Sequence, residues 1–487
     1  MSCPPDLEKS SHHTDSPSHD GRQRSQEEIR FAKGEDPKSF SPLYKAFVTW
    51  EMSMLAFVGS LGSSIMSPAQ ADMAMYLNIS EQATVLSLSL FVLGYAFGPL
   101  IWAPISEVYG RRLSMLPAVF GLCILSIGTA VSKEPASVFI TRFIGGVFGS
   151  APISNVSAAL GDIYDPRVRG VPMAFYALCV IGGPTLAPIV GAALTANPHL
   201  GWRWTEYLEA IIGFAVLITT VFFLPETYAP VLLRRKAQLM RKKTGDPSYW
   251  HASERNKMDL KTTITKQLSR PLQMFFLEPM VFTIALYASL VYGILFLTLE
   301  VFPIVFKEKR HWSPVISTLP FLGLLVGVIF ALAVNIVSQP YYARTVAKNN
   351  GKAVPEARLP PMIIGGCLFS IGLFWFGWTA DPKIAWESPI IAAGFIGAGF
   401  NIVFQQCLNF LVDTYGQYAA SAVAANNLLR CLMACGLPLA ARPMFLALGV
   451  GPASSILGGI SILALPVPFL FMKYSAVLRK RSKFIVS

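Results

Sequence analysis

Two arginines stand where a chain of this composition should carry no charge. Arg142, in FITRFIGGVFGS, and Arg430, in AANNLLRCLMACGLPLA, both lie within long apolar runs. An ionised group taken out of water needs a partner, and charges at membrane depth face a bundle interior or a water-filled cavity. Arg430 is the deeper and reads as a substrate or coupling contact; the alternative is a structural arginine bonded to carbonyls. Arg142 sits one to two turns into its run and fits a coupling role or a side chain snorkelling to the interface. The acids that could exchange a proton are Glu51, Glu209 and Glu300, each near the end of its run and expected to be a solvated boundary residue. Arg430 thus has no certain acid at comparable depth, and the expected cargo is neutral or anionic rather than a polyamine.

Polar side chains at the same depth are the candidates for lining a cavity: Asn155, Tyr176, Tyr287, Tyr292, Asn401, Gln405, Gln406, Asn409, Asn426 and Asn427. Gln405 lies four residues from both Asn401 and Asn409, so the three share a helical face. Each could equally bond one helix to another.

The elements that must hold these residues follow from composition. The chain has 487 residues, of which 53% are apolar and 14% charged, and its mean hydropathy is +0.49. Its apolar blocks are about 20 residues long, the length a helix needs to cross a bilayer. Sustained strand-like alternation is missing, which excludes a β-barrel. The class is an all-α polytopic membrane protein. Spans are expected at 46–66, 84–106, 113–132, 137–161, 171–195 and 207–224, then at 279–304, 315–337, 361–379, 389–411, 418–440 and 452–472. The domain organisation is a disordered polar tail (1–45), a first six-helix bundle (46–224), a basic cytosolic loop (225–278), a second bundle (279–472) and a basic tail (473–487).

Charge sets the orientation. Lys and Arg crowd the loops after the second, fourth, sixth and eighth spans and the C-terminal tail. The other side has only Lys133, Arg203, Lys307, Lys309, Arg310, Lys383 and Arg442. This asymmetry places both termini in the cytosol. It accounts for most of the net charge of +12, so nucleic acid is not an expected partner, whereas anionic lipid is. Asn78, in Asn78-Ile79-Ser80, is a glycosylation candidate in an outer loop.

Other chemistries are disfavoured. The histidines lie in tails or loops and the cysteines, apart from Cys3, within spans, without a His–carboxylate or His–Cys cluster at depth. No metal, haem or other cofactor is expected, and no membrane enzyme. The sequence also lacks a GxxxxGK[ST] phosphate loop, which argues against ATP-driven transport.

The stretch GYAFGPLIWAPISEVYGRR (94–112) leaves an apolar run through Glu107, Gly110, Arg111 and Arg112. Gly94 and Gly98 offer a small face for a neighbouring helix, and Gly110 permits a tight turn. This stretch resembles the signature loop between the second and third spans of the major facilitator superfamily, with Glu107 where Asp is commoner and Ala103 where Gly is usual. Arg142 and Gly146 are similar to that superfamily's fourth-span motif, whose arginine is linked to proton coupling. GGPTLAPIVGAAL resembles its fifth-span antiporter motif through Gly183, Pro184, Pro188 and Gly191. Prolines four residues apart should bend that helix.

GWRWTEYLEAI, LPETYAPVLLRRKA, PEARLPPM and YAASAVAANNLLR extend the resemblance to the fungal twelve-span drug:proton antiporter branch, which includes polyamine-exporter-like members. The resemblance implies the major facilitator fold, twelve transmembrane helices in two six-helix bundles rocking about a midplane site. It further implies proton-coupled efflux of a small organic molecule (a secondary metabolite, drug or organic acid) by a monomer in the plasma membrane. An uptake permease, a polyamine exporter and a vacuolar address are the alternatives. Glu107 is expected to close the cytosolic side against the start of the eleventh span, near Gly416 to Tyr418, where helix-end N–H groups attract a carboxylate. Asp162 and Asp413 read as gate or capping residues.

Overall fold

The computed structural model describes residues 27–32, 34–165, 168–251, 254, 260–349, 354–482 and 484. The tail up to residue 26, with Cys3, His12, His13 and His19, lies outside the described residues.

The first half contributes α1 (Pro42–Leu61), a short α2 (Gln70–Leu77), α3 (Glu81–Tyr109), α4 (Arg111–Val131), α5 (Pro135–Ile163), α6 (Gly170–Thr195) and α7 (Arg203–Phe223). Two helices follow in the central segment, α8 (Ala229–Thr244) and α9 (Leu260–Leu277). The second half holds α10 (Pro279–Phe302), α11 (Phe321–Lys348), α12 (Leu359–Thr379), α13 (Glu387–Tyr415), α14 (Ala419–Leu448), α15 (Val450–Ala464) and α16 (Pro466–Arg481). Among the described residues, eleven helical segments are long and apolar enough to cross a membrane; Val450–Ser475, which joins α15 to α16, is one of them. The remaining span is α1. Lys45, Glu51 and its serines and threonine lower its hydropathy, yet it packs against α5, α6 and α7 with one face fully buried.

Close helix approach organises the first half. A Cβ on Gly94 would collide with the backbone of Phe143, one on Gly98 with Val147, and one on Gly146 with Phe91. The small-residue face of α3 therefore lies directly on α5. In α6, Pro188 has no N–H to give the carbonyl of Pro184, and Ser64 Oγ donates to that carbonyl instead at 2.8 Å. A neighbouring helix end thus satisfies the group the proline frees.

The halves meet along α3 with α14 and along α6 with α11. One apolar core joins them, running from Phe91, Val92 and Tyr95 into Ile294, Phe296 and Phe400. The central-segment helix α9 lies against both α3 and α14.

Two expectations are corrected. The segment 225–278 is helical over α8 and α9, since Pro230 occupies the first turn of α8 and Gly245, at φ +71°, ends it. The stretch leading into α1 is also placed rather than disordered. Glu27–Glu28 pairs in parallel with Tyr249–Trp250, and Lys236 Nζ reaches the Glu35 carboxylate at 2.5 Å.

Candidate functional site

Arg142 does not snorkel. It is buried on α5, and its NH1 donates to Glu206 Oε1 at 3.0 Å and lies 3.9 Å from Glu209 Oε2. Nε donates to the carbonyl of Ser87 on α3 at 3.1 Å, and NH2 donates to that of Gly62 after α1. The Phe91 ring covers the guanidinium, its centroid 4.1 Å away. Glu206 and Glu209 are both 0% exposed. They lie three residues apart on the first turns of α7, hence on one face. Their remaining oxygens, Glu206 Oε2 and both of Glu209, have no hydrogen-bond partner.

This corrects the expectation of solvated boundary acids. The opening turns of α7 face inward, with α4, α1 and α6 packed on that helix and the Arg142 side chain of α5 reaching in, so a position near a span end is still sealed. Glu51, also buried, accepts from Thr220 at 2.9 Å and Thr219 at 3.2 Å. Glu300 is half-buried, and Gln70 of the other half donates to both its oxygens, at 3.2 and 3.3 Å. It borders a small cavity with Ser63, Ser64, Ser67 and Ser89. The first bundle thus holds buried acids, although they lie near the start of their span.

Arg430 sits at the contact between the halves. Its guanidinium lies 4.6 Å from the Tyr292 ring centroid and 4.7 Å from that of Phe404. It donates to Asn427 Oδ1, and Asn427 Nδ2 donates to the Tyr95 carbonyl of α3 at 3.0 Å. Among the described residues no carboxylate pairs with Arg430, and its Nε is buried without a hydrogen-bond partner. Asn426 alongside is 0% exposed with both side-chain polar atoms unsatisfied. Asn401 is buried with a free Oδ1, while Gln405 and Asn409 are half-buried on the same helix.

Four expected cavity residues make contacts to neighbouring helices. Asn155 donates to Ser114 Oγ at 2.7 Å, and Gln406 donates to Asn335 Oδ1 at 2.7 Å. Tyr287 is 1% exposed, its hydroxyl against Gly366 inside the second bundle. Amide and phenol side chains at membrane depth bond helices as readily as they bind cargo, and only the packing separates the two roles. Tyr176 is tied to the Ile153 carbonyl.

At the C-terminal end of α3, Gly110 adopts φ +106° and lets α4 begin at once. The freed N–H groups of Arg111 and Arg112 donate to the Glu226 carboxylate at 2.9 and 3.3 Å, those of Thr227 and Tyr228 both at 3.0 Å. Arg111 Nε pairs with Asp162 at 3.0 Å, and its guanidinium stacks on Tyr228. Glu107 is half-buried beside them. Burial pushes the Tyr228 phenol up; Arg111 opposes that shift, and Glu107 and Asp162 reinforce it. The second half repeats the pattern: Arg358 pairs with Asp413 at 2.9 Å over the Tyr342 ring, and Tyr342 donates to the same carboxylate at 2.8 Å.

On the opposite face, Arg442 of α14 bridges Glu81 of α3 and Glu308 after α10, both at 3.1 Å. Asn78 is exposed there at φ +53°, capping α2. Gly183 and Gly191 of α6 abut Ser60 and Ile65 so closely that neither has room for a Cβ.

Sequence reasoning passed over Glu206 and Glu226. Glu206 carried a signal in its three-residue spacing from Glu209. Glu226 carried none, because its partners are backbone amides remote in sequence.

Comparison with known proteins agrees with this architecture. The Major Facilitator Superfamily model matches residues 52–438. The Candida albicans protein described as major facilitator superfamily multidrug transporter FLU1 is 37% identical over 92% of this chain and 74% of its own length. Efflux pump bik6 of Gibberella fujikuroi is 40% identical over 92% of each chain. Among solved structures, the proton:xylose symporter XylE of E. coli superposes with a TM-score of 0.64 at 18% identity, covering 89% of this chain and 97% of that one.

Proposed function

We propose that this chain, which belongs to the Major Facilitator Superfamily, exports a small organic molecule in exchange for protons by alternating access. Its cargo site is the cluster of Arg430, Asn426, Asn427, Tyr292 and Phe404. The observation that carries this reading is the unpaired cation where the halves meet: a guanidinium held between two rings and lacking a carboxylate suits an acidic or polarisable aromatic cargo. Efflux is supported by the multidrug transporter and efflux pump among its relatives. Under this reading Arg442 with Glu81, and Gln70 with Glu300, hold the outer side shut. Glu107, Gly110, Arg111 and Arg112, with the pliable α6 at Pro184 and Pro188, govern the cytosolic side. The plasma membrane is the proposed site of action, with both termini cytosolic, the chain acting as a monomer and carrying cargo without transforming it.

Metabolite profiling of deletion and overproduction strains tests the direction. A compound retained inside the deletion strain and enriched outside the overproducer is the expected result. A nutrient depleted from the medium only when the protein is present would make the chain an uptake permease, and a polyamine as the exported compound would displace the acidic cargo.

A further inference from the structure

We propose that the stretches 27–32 and 34–40 form a strap that fastens the central segment to the first bundle. The tether between the halves then begins after Glu254 rather than at the end of α7. The strap concerns the mechanics of the two halves, and its release can be read without any cargo.

One side of the strap holds the central segment. Glu27–Glu28 pairs in parallel with Tyr249–Trp250, and the Ile29 N–H donates to the Trp250 carbonyl at 3.0 Å. Lys236 Nζ of α8 donates to the Glu35 carboxylate at 2.5 Å and to the Arg30 carbonyl at 3.2 Å. The other side holds the bundle. The Lys38 N–H donates to Asp36 Oδ1 at 2.9 Å, which caps the turn Pro37–Ser39. That turn packs on α5 with Pro37 buried, and Lys45 Nζ of α1 donates to the Lys38 carbonyl at 2.7 Å.

The central segment is folded back on itself within the same bracket. Arg241 donates to the Tyr249 carbonyl at 2.9 Å and to both oxygens of Glu254 at 2.7 Å. Arg234 donates to the Val108 carbonyl of α3 at 2.9 Å, beside the Gly110 turn. From Pro225 to Trp250 the chain therefore moves with the first bundle. Only the chain after Glu254 leads across to α10, and it does so through α9, which lies on both α3 and α14.

The ties are many and individually weak. A two-stranded pairing is marginal by itself, and this one has two residues per strand. The Lys236–Glu35 pair is partly exposed, and such pairs contribute little. Several small ties acting together hold the strap, yet it can open without unfolding either bundle. Fastened, it leaves a short tether that keeps the end of α7 near the start of α10 and limits how far the halves part there. Released, it adds the stretch from Pro225 onward to the tether and lets α9 leave the seam between α3 and α14.

Hydrogen–deuterium exchange of the purified full chain in lipid nanodiscs, read by mass spectrometry, tests this. Lys236→Glu places like charges opposite each other and should speed amide exchange in 27–32, α8 and α9 by about fivefold or more. Glu35→Lys added to that variant restores the attraction with reversed sign and should return most of the protection. Ile29→Pro removes the N–H that the Trp250 carbonyl accepts and should loosen the same three regions without changing charge. Unchanged exchange in both single variants would mean that the strap holds nothing. Faster exchange in α8 with α9 still protected would mean that the tether is not set by the strap, and either result overturns the proposal.

Discussion

Two buried arginines divide this molecule into two kinds of site. Arg142 is enclosed in the first bundle by two carboxylates, two carbonyls and a ring. Arg430, between the bundles, has an amide and two rings and no carboxylate among the described residues. The first has more negative charge at hand than it needs, and the second has none. Surplus carboxylate favours a bound proton, whereas an unmatched cation favours an anionic or polarisable ligand. On the proposed reading, coupling falls to the first arginine and recognition to the second.

The sharpest way to break the comparison is Arg142→Ala. It strands two carboxylates in a sealed interior, and removing one partner of a buried ion pair costs about 3–5 kcal/mol. Loss of the protein from the membrane fraction, or a large fall in its thermal midpoint, is expected. Unaltered stability would mean that the cluster is not as charge-coupled as its distances indicate.

Arg430→Ala should behave differently. With no carboxylate to orphan, folding should be nearly unchanged while export falls about tenfold or more, a loss of roughly 1.4 kcal/mol in cargo or transition-state binding. Arg430→Lys should recover only part, since an ammonium does not fill the planar space between Tyr292 and Phe404. Unchanged export by both variants would remove Arg430 from the cargo site.

Arg111 lies between the two patterns, paired with one carboxylate where α3 turns into α4. Beside it, Glu107→Ala should abolish export with expression intact; efflux at the unmodified rate would mean that Glu107 does not close the gate.

The smallest effect is expected at Arg241 and Glu254, an ion pair in the central segment at 2.7 Å. The hydrogen bond from Arg241 holds the Glu254 carboxyl below its usual range. Its stabilisation is therefore complete above the ordinary carboxylate range and is lost as pH falls through the lowered value. The pair is partly exposed and screened by solvent, so Glu254→Gln should cost only about 0.2–1 kcal/mol, read as faster proteolysis of the segment.

Much of the architecture was legible in advance, because hydropathy acts over whole spans. The glycines of α3 and the φ of Gly110 also behaved as their local chemistry required. The site was legible only in part. Arg430 and Asn427 stood out by depth, but Asn155 and Gln406, equally polar and equally deep, proved to bond helices. Depth along a span says nothing about which way the side chain faces. Glu209 was placed near an interface by its position, yet it is sealed because α4, α1 and the side chains of Phe91 and Arg142 close around it.

The sequence alone determined that the chain crosses the membrane repeatedly and which few residues carry charge within its apolar runs. Each depends on composition within a segment, and hydration free energy acts there residue by residue. Tertiary structure alone decided that Arg142 has two carboxylate partners, that Arg430 has rings instead, and that Glu226 gathers the N–H groups at Gly110. Those pairings join residues up to 138 positions apart, and electrostatic partnership depends on distance in space and on exclusion of water, neither of which a linear sequence records.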